Sequence, residues 1–255
     1  MTTRQQEPRV CDTVDVVRAP VRVVVLDFFR TLAYRAPWPT DLNTLVAPFV
    51  PAERCPAFWA QWFGRAFDGR EHRAQSVSRA GYVQYERELR RGLQRAAGIP
   101  PAAADEILTE LERLEATTPL IAYPDALPFL RALGGVRVIV CSNWGWDLDR
   151  ALEQTGLDTT VHAAISSARV GARKPHPLVY RAVLEAAGAT PGEVLFVGDS
   201  WHADVQGPRA HGMRAVQLCR EGLPGPSAGP DRIATLGELI PIILPARGSI
   251  REARR

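Results

Sequence analysis

Lysine is almost missing from this chain. Of its 31 basic residues a single one, Lys174, is lysine. A chain that uses arginine for nearly every cation marks its one lysine as a place for a compact ammonium, where a planar guanidinium would not fit. Chance survival of one codon is the competing reading. Cysteine is also scarce. Cys11, Cys55, Cys141 and Cys219 lie far apart and lack metal-binding spacing, which excludes zinc ribbons and disulfide frameworks. They read as reduced thiols of a cytoplasmic protein, with Cys141 and Cys219 in buried strands. No apolar run approaches the roughly 20 residues of a membrane helix, so no membrane partner is expected. Met1 to Val17 is polar with scattered charges and reads as neither signal peptide nor anchor. The net charge of +3 is mild and no aromatic–basic interleaving accompanies it, so no nucleic acid partner is expected either. There is no internal repeat. What remains is a globular chain, with a small molecule as the partner left to expect, and its composition fixes no oligomeric state.

With 255 residues, 46% of them hydrophobic and 23% charged, the chain can hold one ordinary domain and a smaller one. Val21 to Phe28 reads as the first strand. Its centre, Val23-Val24-Val25-Leu26, is apolar without alternation, the pattern of a strand buried on both faces of a parallel sheet. From 36 to 118 no strand signal appears. Four helical patterns fill this region, near 40–49, 56–68, 74–97 and 102–116, separated by proline and glycine. In the third, Val77, Tyr82, Tyr85, Leu89 and Leu93 recur at near-helical spacing. After 118 strands and helices alternate. The strands are Val136–Asn143, Val161–Ser166, Glu193–Ser200 and Met213–Cys219. The helices are Asp125–Leu133, Asp147–Gln154, Leu178–Ala187, Ala203–Ala210 and one near 231–240. The pattern predicts an α/β protein: an open parallel Rossmann-like sheet, 19–35 with 119–245, carrying an inserted helical cap domain, 36–118. Residues 1–18 and the basic segment 246–255 read as disordered tails.

Three predicted strands end in polar groups: Asp27, Ser142-Asn143 and Asp199. In a parallel sheet these ends share one edge, the edge where ligands bind. Two carboxylates brought together repel unless a cation lies between them, and Asp204 follows within a turn. Carboxylates and carbonyls in a small polar cleft suit a hard cation, usually Mg²⁺. Ser142 and Asn143 precede a helix N-terminus, which favours an anion, and Lys174 adds charge. A carboxylate nucleophile, a cation and an anion cradle describe covalent catalysis on an electrophilic, anionic substrate.

Four segments carry a resemblance. Asp27-Phe28-Phe29-Arg30-Thr31-Leu32 partly matches D-x-D-x-T. Val138–Asn143 is a strand ending in Ser. Arg173-Lys174-Pro175 supplies a lysine followed by proline. Gly198-Asp199-Ser200-Trp201-His202-Ala203-Asp204 matches G-D-S-x-x-x-D. In this order the chain resembles the haloacid dehalogenase (HAD) superfamily of aspartyl-nucleophile hydrolases, and 166–216 reads most like its phosphatase-like members. The resemblance implies a Mg²⁺-dependent hydrolase of phosphate monoesters. In it Asp27 is nucleophile and metal ligand, the backbone carbonyl of Phe29 completes the metal site, and Thr31 orients the loop. Ser142, with Asn143 nearby, holds the transferring group. Lys174 neutralises charge on the nucleophile and that group. Asp199 binds the metal, and Asp204 supports the metal or Lys174.

The first motif departs from the phosphatase pattern. Its second Asp, which protonates the leaving alcohol, is Phe29 here. The following glycine is Arg30, which implies an altered turn. General acid–base help contributes about 10²–10⁴-fold, so a substrate with a good leaving group would suffer least. Family dehalogenases also lack this Asp, usually carry Tyr there, and do without Mg²⁺. Carbon–halogen hydrolysis through Asp27, or a non-catalytic regulatory role on the same scaffold, are therefore alternatives. Trp144, Trp146 and Trp201 read as packing first and as an aromatic wall for an apolar substrate second. Trp59 and Trp62 read as cap core, His202 as a surface residue with a substitute acid as the lesser reading, and His176 as plain loop. Arg30 either binds a substrate anion or faces solvent.

Overall fold

The computed structural model describes residues 20–63, 66–220 and 231–244. The expected tails at 1–18 and 246–255, the loop at 222–230 and Cys11 lie outside them. In chain order the strands are β1 (Val23–Leu26), β2 (Ala33–Arg35), β3 (Leu120–Ala122), β4 (Arg137–Ser142), β5 (Ala163–Ser166), β6 (Val194–Gly198), β7 (Arg214–Leu218) and β8 (Arg232–Ile233). Six of them form one sheet in the order β5-β4-β1-β6-β7-β8, every pair parallel. This is the open Rossmann-like sheet that the alternating pattern predicts. β1 lies at its centre because all four of its residues are apolar and bury completely. Strand side chains alternate between faces, so the sheet feeds two cores. Val24, Leu26, Val138, Val140, Leu195 and Val197 pack on one side. Val23, Val25, Ile139, Cys141, Val194 and Phe196 pack on the other. Each fully buried aliphatic side chain contributes about 1.5–3 kcal/mol.

The strand order reverses at β1: the chain goes from it to β4 and β5 on one side, then returns to β6, β7 and β8 on the other. Leu26 is level with Val140 of β4 and Val197 of β6. Asp27, Ser142 and Asp199 therefore emerge side by side at the carboxyl edge of a switch point.

The cap has a third core of its own, built from Leu42, Val46, Phe58, Trp62, Ile107, Leu108, Leu111 and Leu114. Its helices are α1 (Asn43–Val46), α2 (Cys55–Trp62), α3 (Arg79–Ala96) and α4 (Pro101–Thr117). Pro101 begins α4 where a missing N–H costs nothing. The helix forms because Ala104, Ile107, Leu108, Leu111 and Leu114 recur at helical spacing and bury as one stripe against the rest of the cap.

Several expectations are corrected. Val77 is 84% exposed and precedes α3. Ser78 interrupts the expected 74–97 helix in extended backbone and caps α3 by accepting from Gly81 N. Core and cap join at 33–38 and 118–124. β2 and β3 pair antiparallel there, Ala33 with Ala122 and Arg35 with Leu120. Three-residue strands are too short to show a period. Arg35 adds a clamp, donating to the carbonyls of Glu115 and Thr118 at 2.6 and 2.8 Å, at the C-terminal end of α4. The predicted helix near 231–240 begins instead as β8 and becomes helical only from Leu236. Cys219 lies just beyond β7 and is half-buried rather than buried. The predicted helix at 203–210 opens as a wide π turn, Trp201–Gln206. Such turns change the direction of side chains within a helix and recur at functional sites.

Candidate active site

Asp27 is the first residue after β1 and its N–H donates to Val197 O at 2.8 Å, which locks it to β6. Its carboxylate is buried, and Oδ1 accepts from Lys174 Nζ at 2.8 Å. Thr31, fully buried four residues on, places its hydroxyl 3.5 Å from Oδ2. Lys174 Nζ also donates to Asp204 Oδ1 at 2.7 Å and to Cys141 O at 2.9 Å. All three ammonium protons are thus used. Burial alone would pull the lysine pKa down, but Asp204 and Asp27 outweigh it and hold Lys174 well above the ordinary lysine value. The lone lysine of the sequence is a buried, permanently charged bridge between two carboxylates.

Asp204 reaches this bridge from the π turn. Its Oδ2 accepts the Ser200 N–H at 2.9 Å, and Ser200 Oγ in turn caps the turn by accepting from Ala203 N. Burial pushes Asp204 up, to about 7, with Lys174 opposing and Asp27 and Asp199 adding to the rise. Gly198 is required here, because a Cβ at that position would overlap the Asp204 carboxylate. Of the two roles the resemblance leaves to Asp204, support of Lys174 is the one its hydrogen bonds display.

Asn143 lies beside Ser142 at the end of β4. Both ends of its amide have partners within the protein. Oδ1 accepts Lys174 N at 2.6 Å, while Nδ2 donates to Lys174 O at 3.0 Å and to Asp68 Oδ1 at 2.9 Å. Asn143 clamps the lysine backbone and ties it to the cap. Cap backbone reinforces the joint: Gly69 N donates to Lys174 O and His72 N to Gly171 O. No sequence motif announces Asp68. Ser142 is buried at the end of β4, level with Ser166.

Arg30 has a partner within the protein. It stands at φ +64°, the left-handed conformation that glycine adopts freely and other residues seldom do. Its side chain is 35% exposed, and its Nε lies 3.5 Å from Asp199 Oδ2. His202 is exposed and lies 3.2 Å from Gln206, as a surface residue. His176 is more than loop: its ring accepts from Leu178 N and caps the helix Pro177–Ala187, and it lies 3.5 Å from Glu71 of the cap. Trp201 is flanked by Arg209 and Arg232, a packing role. Trp62 is buried in the cap core, as expected, and Trp59 packs against it.

Carboxylate oxygens of Asp27, Asp199 and Asp204 lie within 4.8 Å of one another. Hard oxygen donors at this spacing fit a divalent cation such as Mg²⁺. Charge points the same way. Three carboxylates face Lys174 and Arg30, and an arriving anion would add to the excess of negative charge.

A family model described as haloacid dehalogenase-like hydrolase matches residues 21–212, and the chain belongs to that family of hydrolases. It is 36% identical over 159 residues to a phosphoserine phosphatase of Thermus thermophilus, covering 60% of this chain and 63% of the relative. It is 31% identical over 180 residues to a phosphatase of Mycobacterium tuberculosis, covering 68% and 76%. An (S)-2-haloacid dehalogenase of Xanthobacter autotrophicus is 36% identical over 102 residues, 40% of each chain. The chain thus spans less than two thirds of two of these relatives. The solved L-2-haloacid dehalogenase of Xanthobacter autotrophicus superposes with a TM-score of 0.54 at 22% identity, over 88% of this chain and 98% of its own. That likeness speaks for the fold.

Proposed function

We propose that the protein is a Mg²⁺-dependent hydrolase of phosphate monoesters that works through a covalent aspartyl phosphate on Asp27. The observation that carries this is the Lys174 bridge. It fixes Asp27 Oδ1 and leaves Oδ2 with the long contact to Thr31. A carboxylate so held can turn one oxygen to an electrophile while the ammonium offsets the charge that gathers there. Asp27, Asp199 and the Phe29 carbonyl would hold the metal, with Asp204 beside them. Bound Mg²⁺ would supply Lewis-acid polarisation of the phosphoryl oxygens. Ser142 would hold the transferring group from the end of β4. Asp204 and Asn143 keep Lys174 in place, one at its head and the other at its backbone. The buried thiols of Cys55 and Cys141 suit a reducing, cytoplasmic compartment.

The test is phosphate release from acetyl phosphate and p-nitrophenyl phosphate. Turnover should need Mg²⁺, stop with EDTA, and vanish in Asp27→Asn. Turnover that survives in Asp27→Asn sinks the reading.

Two observations favour a second reading, carbon–halogen hydrolysis through the same Asp27. Phe29 is apolar where a phosphatase carries an acid, and Arg30 already places a cation at Asp199. It predicts halide release from 2-haloacids that EDTA does not suppress.

A further inference from the structure

A cleft of about 490 Å³ opens between cap and core, within the usual range for a small-molecule site. Phe29 and Trp144 form its core wall, and Trp38, Trp62, Phe67 and Tyr85 line its cap wall. It meets the catalytic cluster at Phe29, two residues from Asp27, and at Asn143, next to Ser142. Its charged lining is largely spent within the protein. Arg35 is bound to the carbonyls of Glu115 and Thr118, Arg90 lies 3.6 Å from Glu115, and Glu86 accepts the Tyr82 hydroxyl at 2.8 Å. The rest of the lining is ring and guanidinium: Arg35 lies over Trp38, Arg90 over Trp62 and Arg70 over Phe67, and the buried Arg173 Nε has no hydrogen-bond partner among the described residues. Trp144 is braced: it packs edge-on against Phe28 at 5.1 Å and lies 6.1 Å from the ring of Phe29.

From this juxtaposition we infer that the substrate is an aryl phosphate, a phosphate ester of a phenol-type hydroxyl whose ring occupies the aromatic cleft. The inference rests on the phosphatase reading of Asp27 and names its substrate class. Two independent features meet in it. The cleft offers ring surfaces, and aromatic pairs contribute beyond simple burial. Phe29, at the mouth, can donate no proton to a departing oxygen. A phenolate needs none, since phenols ionise near 10, as tyrosine does, against about 15.7 for water. In the first step an Asp27 oxygen bonds to phosphorus and the bond from phosphorus to the aryl oxygen breaks. The phenolate leaves with that electron pair and takes its proton from solvent. Water then attacks the phosphorus of the aspartyl phosphate, and Asp27 departs as carboxylate with the electron pair of the broken bond. Inorganic phosphate leaves carrying the water oxygen, and the proton that the attacking water releases passes to solvent.

The experiment compares kcat/KM for phenyl phosphate and 1-naphthyl phosphate with those for glycerol 3-phosphate and octyl phosphate, at saturating Mg²⁺. The aryl esters should lead by about 10²-fold or more, the scale of the missing proton donor. Octyl phosphate, apolar but with a poor leaving group, should stay with glycerol 3-phosphate. Tyr85→Ala and Trp38→Ala should each reduce the aryl preference by roughly tenfold, as loss of an aromatic contact allows. In parallel, 1-naphthylmethylphosphonate, which cannot be hydrolysed, is titrated into wild type, Asp27→Asn and Tyr85→Ala, following tryptophan fluorescence. It should bind the first two and weaken in the third. Equal kcat/KM for aryl and alkyl esters overturns the aryl assignment and leaves the phosphatase reading standing. Phosphonate binding that Tyr85→Ala weakens, without turnover of any ester, supports the aromatic ligand and overturns the phosphatase reading. Absence of both overturns the two together.

Discussion

At the carboxyl edge of the sheet, charge is answered at bonding distance. Lys174 spends its three protons on Asp27, Asp204 and Cys141 O, and Asp204 takes a backbone N–H with its other oxygen. Across the cleft, the cap presents rings from Trp38, Trp62, Phe67 and Tyr85. The first surface is buried and is built from the ends of β1 and β4, the loop that carries Lys174 and the turn that carries Asp204. The second belongs to helices and loops with a core of their own. The difference teaches how labour is divided. A buried ion network tolerates almost no change of residue, because one missing partner strands a charge. An aromatic wall tolerates exchange of one ring for another, so substrate choice can shift there while the chemistry stays.

The comparison can be broken at several points. The largest effect belongs to Lys174→Met, which leaves Asp27 and Asp204 buried without their cation. Activity should vanish, and stability should fall by about 3–5 kcal/mol, read by urea denaturation. Lys174→Arg should not restore activity, since a planar guanidinium cannot place donors on all three acceptors.

Next in size, Phe29→Asp with Arg30→Gly should raise kcat for alkyl phosphates by about 10²-fold, measured against the aryl esters. If the alkyl rate stays flat, the missing acid is not what limits the enzyme.

Asn143→Ala should sharpen the link between the two surfaces. It removes the clamp on the Lys174 backbone and its tie to Asp68. Stability should drop by about 1–3 kcal/mol. A fall in kcat larger than the change in KM would mark positioning of the lysine rather than loss of substrate contact.

The smallest effect concerns His72, which is 2% exposed and belongs to the cap loop that docks on Gly171. Burial lowers its pKa, with Arg173 adding to the push. The unfolded chain therefore binds a proton near pH 6.5 that the folded protein resists. Stability should fall as pH drops below about 6.5 towards the lowered folded value, and be unaffected by this group above it. His72→Gln should flatten that part of the pH–stability curve.

Much of the core was legible because its signals are local. An unalternating run of valines is a buried parallel strand wherever it occurs, and three such runs ending in polar residues place their ends on one edge. Lys174 stood out by composition alone. The place of the cap crossings was legible but their pairing was not, because β2 and β3 are three residues each and draw that pairing from partners over eighty positions away. Arg30 was ambiguous for a related reason. Its left-handed φ is imposed by the turn and its partner Asp199 lies on another strand's end.

By itself the sequence determined the first five strands of the parallel sheet and their order along the chain, the inserted helical region and the polar residues on offer, since hydrophobic period and strand length act over a few neighbours. Only the tertiary structure decided which groups meet. It joined Asn143 to the lysine backbone, gave Asp204 to Lys174, and set Phe29 in the wall of an aromatic cleft. The physical reason is distance along the chain: hydrogen bonds and ion pairs between remote segments exist only after the sheet has brought them within reach, and no local pattern encodes them.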